Sequence, residues 1–584
     1  MRALDVGVAL FFRSIMNSDK TRIQLAIGPL IGILVLLYAF TDLYEHAELV
    51  SFDWRFRLRN ELFGPPPISP LLGTVDIDNK TLAEEGRYQD WTRDQFADMI
   101  RVLSRYGARL IWFDIYMVEP SVRTIDAALL EDRPDLDRAD FDALIAQVDF
   151  DEKLRQELVR AGNVYLSQTV EVGYGEVPDP ANLDVTSRTP DQEDALQTIL
   201  AQTPRLMVDP KESTLRRGRN FEPPLKILRD AARGFGYAQT IPDVDGTRRR
   251  YPLVFQYEEQ LFPSIGLLLI CDLLEVPVDQ VQVWPGEQVH LPGARFPTGE
   301  TEDVDIPIDS YGNMHVDWVG KWEDTFVHYP HISLVWVERQ EILDTLKRKM
   351  AADPGLRTPR AIMAALRKEG FDDSDKVKEA LLNWSWTRGI EKAVRADGSL
   401  EGATFWRAKG KDNPQPKQVA LFDQVRRNNL VADLLVRRPG IDLQELAAAL
   451  PEYGAEEVIE SAAFVQSVLV EGRIPAGARP LYYYPFVMYE GKPLRPDDIR
   501  GKVLPYGLTG TGTQDLNVTP FQGDYPMVGL YVNVLNTVLQ KRYIQRLPLW
   551  ANAILLLALG TSLSLWAGRL KVITGLLQNA VSMH

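Results

Sequence analysis

The hydrophobic positions of this chain follow two periods, one typical of buried strands and one typical of amphipathic helices. Short apolar or alternating runs that end in turn residues predict strands over residues 72–78, 109–116, 163–169, 249–257 and 503–508. Apolar residues three and four positions apart predict helices over residues 92–106, 141–161, 223–233, 264–274 and 521–539. In the first of these helices the predicted buried face is Phe96, Met99, Ile100 and Leu103. Because strands and helices alternate, we expect an α/β domain whose mainly parallel sheet is flanked by helices.

A β-hairpin is expected where two further strand-like runs flank a tight turn. The runs cover residues 303–309 and 314–319, and the turn is Ser310-Tyr-Gly-Asn313. Glycine and asparagine favour the backbone conformations that such turns need. We therefore expect these two runs to pair with each other.

Between residues 331 and 480 the pattern changes to helices alone. Helical periodicity is present over residues 335–350, 358–368, 374–386, 418–437 and 442–450. This predicts an α-helical subdomain inserted into the α/β domain, which would then consist of residues 45–330 and 481–545. The insertion is either a contact surface for other envelope proteins or a decoration on a surface loop.

Two apolar runs, residues 23–41 and 548–567, have the length of membrane-spanning helices. Lys20 and Arg22 precede the first run and acidic residues follow it, which by the positive-inside rule places residues 1–22 in the cytoplasm. The folded domain would lie outside the cytoplasmic membrane, with the lipid bilayer as a partner. Residues 568–584 would be a membrane-associated tail or a truncated further span.

Composition and charge exclude some classes of function. The chain has 584 residues, of which 45% are hydrophobic and 25% are charged, as in a folded protein of several domains. Its net charge of −16 argues against nucleic-acid binding, because phosphate contacts need a basic surface. The one cysteine, Cys271, lies in an apolar run and is expected to be a core residue.

Acidic residues at the ends of predicted strands form the first candidate site. Asp76 and Asp78 end the first strand and Asp114 lies near the end of the second, where open α/β sheets bind ligands. These carboxylates could hold a divalent cation, cap the helices that follow, or pair with Arg93. We take Asp76, Asp78, Arg93 and Asp114 as candidate ligand-binding residues.

A second candidate is the motif Asp243-Val-Asp-Gly-Thr-Arg-Arg-Arg250. Its first half is similar to a calcium-binding loop, but the glutamate that would complete the loop is not in place, so a tight turn is favoured. The arginines could bind an anion or pair with the acidic strand ends. Asp243 and Arg248 therefore join the candidate ligand-binding residues.

The remaining motifs predict neither a cofactor nor a metal. Gly507-Leu-Thr-Gly-Thr-Gly512 follows a strand but lacks the Lys-Ser/Thr of a Walker loop and the full dinucleotide-binding spacing. His328 and His331 are the closest pair of histidines, and neither a cysteine nor a second pair joins them, which argues against zinc. We find no Ser/His/Asp, kinase or cyclase signature and expect no enzymatic activity.

Several motifs in this chain recur in the same order in one family. They are Asp53-Trp-Arg-Phe-Arg57, Val75-Asp-Ile-Asp78, Trp91-Thr-Arg93, Gly107-Ala-Arg-Leu-Ile-Trp-Phe-Asp114, Gly162-Asn-Val164, Asp243-Val-Asp-Gly-Thr-Arg-Arg249, Thr519-Pro520, Pro526-x-x-Gly529 and Asn533. On these motifs the chain resembles the type 2 CHASE domain over about residues 45–325 and 500–540. The resemblance implies an extracytoplasmic sensor between membrane helices that lead to a cytoplasmic cyclase or kinase. The helical insertion departs from the family pattern.

Two functions are consistent with these features. In the first, a receptor in the bacterial inner membrane binds a ligand or partner in the periplasm and relays this, as a homodimer, to an output domain outside this chain. In the second, a non-enzymatic periplasmic scaffold or accessory subunit of an envelope complex uses the same fold and makes contacts through residues 331–480.

Overall fold

The structure is a computed structural model that describes most of the chain. Described are residues 42–121, 149–172, 188–356, 358–371, 374–414, 416–469, 488–489, 492–511, 515–545 and 551–563, with Ile33 and Trp566. The predicted segments 1–22 and 568–584 and, apart from Ile33, the predicted span 23–41 lie outside these residues. Of the second predicted span, residues 551–563 are helical. Within the described residues, no helix is both long and apolar enough to cross a membrane.

The first part of the chain alternates helices and strands, as predicted. Its elements are α1 (Asp42–Phe63), β1 (Gly73–Ile77), α2 (Asn79–Glu85), α3 (Arg93–Arg105), β2 (Leu110–Tyr116), α4 (Phe150–Ala161), β3 (Val164–Val172), α5 (Pro190–Leu200), β4 (Arg205–Leu206), β5 (Gly218–Glu222), α6 (Lys226–Arg229) and β6 (Gly234–Tyr237).

Short strands and then helices follow. The elements are β7 (Arg250–Pro252), β8 (Val254–Tyr257), β9 (Gln260–Pro263), α7 (Ile265–Leu273), β10 (Gln282–Trp284), β11 (Gln288–Arg295), β12 (Thr301–Pro307), β13 (Asn313–His315), β14 (Val327–Pro330), α8 (His331–Ala352), α9 (Pro359–Arg367), α10 (Ser374–Ala396), α11 (Gly402–Ala408), α12 (Pro416–Arg437), α13 (Leu443–Ala448) and α14 (Ala455–Val468).

The last part of the chain returns to the α/β pattern. It contains β15 (Met488–Tyr489), β16 (Lys492–Pro493), β17 (Val503–Leu508), β18 (Leu516–Asn517), β19 (Tyr525–Pro526) and α15 (Val528–Leu539). The predicted helix 521–539 therefore begins seven residues late, because residues before it form β19.

The central sheet is mainly parallel, which confirms the predicted α/β class. Its parallel strands lie in the order β14-β1-β17-β2-β3-β6, and β5 runs antiparallel beside the second half of β3. β17, which follows the helical region in sequence, lies between β1 and β2. The carboxyl ends of these six strands, several of which are distant in sequence, therefore meet along one edge.

Successive residues of the central strands pack on opposite faces of the sheet, as the two-residue period of a strand requires. In β2, Ile111 and Phe113 pack beneath α3, whereas Leu110 and Trp112 join the cluster formed by α7 and α15. On α3, the predicted face of Phe96, Met99, Ile100 and Leu103 is buried. Cys271 is also buried, as predicted. Helices therefore cover the sheet on both sides.

The predicted hairpin of residues 303–309 and 314–319 is wrong. β12 pairs with β11, and β13 pairs with β7. The turn itself is present, since the Asp309 carboxylate accepts hydrogen bonds from the backbone N–H groups of Tyr311 and Asn313. Turn chemistry predicts the reversal of the chain but does not select the pairing partner.

The predicted strand 249–257 is also corrected. It is two short strands, β7 and β8, and neither belongs to the central sheet. The predicted helix 223–233 is reduced to the single turn of α6.

The helical region is not a separate subdomain from residue 331 onward. Buried residues of α8 and the first half of α10, such as Leu343 and Ala380, belong to the core that covers one face of the sheet. Ion pairs reinforce this contact, with α3 joined to α8 by Arg101–Glu338 and to α10 by Asp98–Lys376. Beyond about residue 385, two further clusters have cores of their own, one around Trp406 and Phe422 and one around Val431 and Val458. The core of the α/β domain therefore extends through α9 into α10.

Trp406→Ala tests whether the outer helices form a unit of their own. The Trp406 indole is almost fully buried and donates a hydrogen bond to the Gln418 carbonyl oxygen. Its loss is expected to destabilise this cluster by about 3–5 kcal/mol. Hydrogen exchange should then become faster in α11 and α12 and stay unchanged in β1, β2 and β17. Faster exchange in the central sheet would show instead that the two parts unfold together.

Candidate functional site

A cavity of about 820 Å³ opens at the carboxyl ends of the central strands. β2 contributes Asp114 and Tyr116, β3 contributes residues 170–172, and β17 contributes Leu508. The segment after β6, residues 238–241, forms another wall. This is the edge at which open α/β sheets bind ligands, because the loops that leave the strands diverge there.

The outer wall of the cavity is held in place by Arg248. One guanidinium nitrogen donates to the Thr240 carbonyl oxygen at 2.9 Å, and another donates to Asn517 Oδ1 at 2.9 Å. These bonds join the segment after β6 to β18. Three residues around the cavity opening are thereby fixed to one another.

Three carboxylates line the cavity, of which Glu171 is paired with Arg219, and the other two are those of Asp114 and Asp515. Within the described part of the chain, neither of these two side chains has a hydrogen-bond or ion-pair partner. Burial, and then the charge of Asp515, raises the pKa of Asp114 well above its usual range. Burial also raises the pKa of Asp515 to about 6, although Arg248 acts in the opposite direction. The pair is therefore costly to ionise fully.

Gly507 on β17 leaves room for the side chain of Asp114 on the neighbouring strand β2. A Cβ atom at residue 507 would lie 3.2 Å from the Cβ of Asp114 and 3.3 Å from the side chain of Val528. A larger residue would push β17 away from β2 or from α15. Gly507, the first residue of the motif Gly507-Leu-Thr-Gly-Thr-Gly512, thus has a packing role beside the cavity.

Aromatic rings form much of the remaining lining. Tyr88, Tyr116 and Tyr531 lie near enough to Asp114 for its charge to act on each of them, and Phe255 also lines the cavity. Burial, and then the charge of Asp114, raises the pKa of Tyr88 to about 12, and the same two causes raise the pKa of Tyr531. These phenols are neutral at physiological pH and offer hydroxyl groups and ring faces to a ligand.

The basic residues of the lining are Arg216, Arg219 and Arg248, and each of them has a partner within the protein. Arg219 forms an ion pair with Glu171 at 3.5 Å. The Arg216 guanidinium lies 4.9 Å from the ring centroid of Tyr311. The cavity thus combines engaged cations with unpaired acids.

The family comparison agrees with this architecture. The family model of the CHASE2 domain matches residues 30–373, more than half of the chain. The chain belongs to the CHASE2 domain family. CHASE2 domains are extracytoplasmic sensor modules, which is consistent with a location in the cell envelope. Searches of curated proteins and of solved structures gave no match.

The residues that the family model matches include the first part of the helical region. The matched range runs past β14 and includes α8 and α9, in agreement with the core that these helices share with the sheet. β17 and α15, which the resemblance places within the family pattern, lie outside the matched residues but inside the same fold.

Two of the six predicted ligand-binding residues, Asp114 and Arg248, line the cavity of the CHASE2 chain. Asp78 instead caps α2, where its carboxylate accepts hydrogen bonds from the backbone N–H and the hydroxyl of Thr81. Arg93 is almost buried and pairs with Asp151. These two side chains stabilise the fold around the cavity.

Asp76 lies at the β1–β14 side of the sheet. Its buried carboxylate is 3.2 Å from Nδ1 of His328, whose Nε2 is 2.9 Å from the Trp322 carbonyl oxygen. Burial lowers the pKa of His328, but the hydrogen bond and charge of Asp76 outweigh this effect, so the pKa is raised. Of the three alternatives that the sequence left open for the carboxylates of Asp76, Asp78 and Asp114, capping is the one that Asp78 adopts, and the described residues contain no group of three or more side chains that could hold a metal ion.

Asp243 belongs to a buried network of ion pairs. Its carboxylate contacts both Arg249 and Arg250, and Arg250 continues to Asp309 at 3.0 Å. The motif is a turn, as favoured from the sequence, with the Asp243 carbonyl oxygen accepting from the Gly246 N–H.

Sequence reasoning missed Asp515 and the cavity residues Tyr88, Tyr116, Tyr531, Arg216 and Arg219. The strand-end argument that selected Asp114 applies equally to Asp515, which follows β17 three residues after the glycine-rich motif ends at Gly512. Arg216 and Arg219 lie in and before β5, in a stretch with no periodic pattern. No sequence signal singled them out.

Asp515→Asn tests the electrostatics of the acidic pair. Because the pKa of Asp515 is raised by folding to about 6, the folded protein binds this proton more tightly than the unfolded chain does. The resulting stabilisation is complete below about pH 4 and is lost as the pH rises through about 6. The melting temperature of the variant relative to wild type should therefore increase from pH 4 to pH 7.

The matched control is Asp433→Asn, since Asp433 is an exposed residue of α12 whose nearest cation, Arg437, is 3.9 Å away. Its melting temperature relative to wild type should not depend on pH over this range. A flat difference for Asp515→Asn as well would contradict the raised pKa.

Proposed function

We propose that this CHASE2 chain is a membrane-anchored receptor. The cavity binds a small ligand in the periplasm without transforming it, and membrane helices carry the signal, in a homodimer, to a cytoplasmic output of the cyclase or kinase class. The observation that supports a relay is the adjacency of two arginines. Arg248 lines the cavity, and Arg249 holds α1, the helix that follows the predicted first span.

The contacts of Arg249 make this connection specific. Its guanidinium is fully buried and donates to both carboxylate oxygens of Asp53 on α1, at 2.6 and 2.7 Å. It also donates to both oxygens of Asp245, at 2.8 and 2.9 Å. Bidentate pairs fix direction as well as distance. A shift of the cavity wall at Arg248 therefore displaces the anchor of α1.

A second ion-pair cluster joins α1 to the C-terminal side of the domain. The buried Asp317 carboxylate pairs with Arg59 of α1 and with Arg542, whose Nε lies 2.6 Å from Asp317 Oδ2 and which follows α15. The Thr537 hydroxyl of α15 accepts a hydrogen bond from the Asp317 N–H at 3.0 Å. The two helices nearest the predicted spans thus move as a pair.

Relay also has a thermodynamic requirement. A ligand shifts the equilibrium between two arrangements of the helices only if it binds them with different affinity. A cavity whose wall is continuous with the anchor of α1 meets this requirement, because any rearrangement of α1 changes the cavity shape.

Thr240→Trp tests the cavity as the ligand site. Thr240 lines the cavity, so an indole at this position should fill part of it. Compounds of a metabolite library that raise the melting temperature of the detergent-solubilised wild type should lose this effect in the variant. The control is Thr198→Trp on the exposed side of α5, which should keep it. Retention of every shift in Thr240→Trp would rule out the cavity.

Asp53→Asn tests the relay. The amide keeps the shape of the side chain but weakens the bond to Arg249, at an expected loss in stability of about 1–3 kcal/mol. Ligands found in the library should change hydrogen exchange in α1 of the wild type and should bind the variant without that change. Glu48→Gln is the control, because among the residues that the structure describes Glu48 pairs only with the exposed Arg55 on the same helix. Unchanged α1 exchange in the liganded wild type would contradict the relay.

A further inference from the structure

The charged side chains that line the cavity differ in whether they have a partner within the described part of the protein. The arginines of the lining are engaged, with Arg219 paired to Glu171 and Arg248 bonded to Thr240 and Asn517. Asp114 and Asp515 face the cavity without a hydrogen-bond or ion-pair partner among the described residues. A ligand that completes this site must therefore supply positive charge.

We propose that the cavity binds a small organic cation whose protonated amine lies between Asp114 and Asp515. This assignment rests on the proposed function, since it names the class of ligand that the cavity would take. It specifies a charged group with N–H donors, carried on a body that fits among aromatic rings.

The electrostatic argument is one of desolvation. Removing a carboxylate from water is unfavourable unless an opposite charge or hydrogen-bond donors replace the lost hydration. An ammonium group does both, since it carries positive charge and up to three donors. Binding would convert two costly side chains into two satisfied ones.

The rest of the lining fits the body of such a ligand. Tyr88, Tyr116, Tyr531 and Phe255 line the same cavity as the acids. Aromatic rings attract cations and pack well against apolar groups. A volume of about 820 Å³ is in the range of small-molecule sites.

Two other ligand classes fit less well. A calcium ion takes six to eight oxygen ligands, and the described residues contain no group of three or more acidic or metal-binding side chains placed to hold a metal. An anion would have to compete with the present partners of Arg219 and Arg248 and would face two acids. A monovalent organic cation meets neither obstacle.

The charged and titratable groups that face the pair come from several elements. They are Arg248 before β7, Tyr88 before α3, Tyr116 on β2, Tyr251 on β7 and Tyr531 on α15. The tyrosines are neutral near pH 7, so the ionisation that binding requires is that of the two acids. With the pKa of Asp515 raised to about 6, the ionisation of this acid alone should increase the affinity for an amine about tenfold from pH 5 to pH 7, and the raised pKa of Asp114 adds to this increase. Protons are released on binding.

The test uses the full chain in detergent micelles and a panel of matched probes. Each alkyl or aryl amine is compared by thermal shift with the alcohol and the carboxylate of the same skeleton, and calcium chloride is tested alone. Amines should raise the melting temperature, and their neutral and anionic analogues should not. Equal shifts by the alcohols, shifts by no amine of the panel, or a shift by calcium alone would each overturn the proposal.

Isosteric variants locate the amine. Asp114→Asn and Asp515→Asn each replace a carboxyl group that can ionise by a neutral amide of the same shape, so both should fold. Each should weaken the affinity for the amine, measured by titration calorimetry, at least tenfold and reduce its pH dependence. Asp433→Asn on the outer helices should leave both unchanged. Unaltered affinity in both cavity variants would overturn the assignment.

The failure of this proposal is distinguishable from that of the proposed function. If amines do not bind, but other compounds do and lose their effect in Thr240→Trp, the cation is excluded and the receptor stands. If Thr240→Trp changes the effect of no ligand, both hypotheses are ruled out: the cavity as the ligand site and an organic cation as its ligand.

Discussion

The buried guanidinium of Arg249 is the interaction on which the arrangement of this domain depends. A charge with 1% exposure is tolerated only when carboxylates replace its hydration, and here Asp53, Asp243 and Asp245 all do so. These acids come from α1 and from the turn beside the cavity, so none of these parts can move without leaving a charge unpaired. Asp243 extends the constraint through Arg250 to the turn at Asp309. The ion pairs of Arg249 therefore fix the relative positions of these parts of the domain more than they add to its net stability.

The sequence is sufficient to predict the individual central strands and insufficient to predict their order. Strands such as β1 and β2 are buried on both faces, and their short alternating or apolar sequences are recognisable without any partner. The position of β17 between them depends on pairing over some 400 residues, for which no local pattern exists. The same reason explains the wrong hairpin, since the turn at Asp309 is local but the partners of β12 and β13 are not.

The residues of the candidate site are also only partly predictable from the sequence. The rule that ligands bind at strand ends selects Asp114 correctly, and it would also have selected Asp515. It selects Asp76 as well, yet Asp76 is drawn to His328 on the neighbouring strand and away from the cavity. Which strand end of a sheet opens into a cavity depends on the loops above it. Those loops, with Arg216 and Arg219, carry no periodic signal.

The central place of β17 also bears on how the polypeptide is made. Until residue 508 has left the ribosome, β1 and β2 each lack a neighbour and expose an unpaired strand edge. Such edges are sites of intermolecular aggregation. The newly synthesised chain is therefore open to aggregation until β17 has been made, and the central sheet can close only when that strand is present.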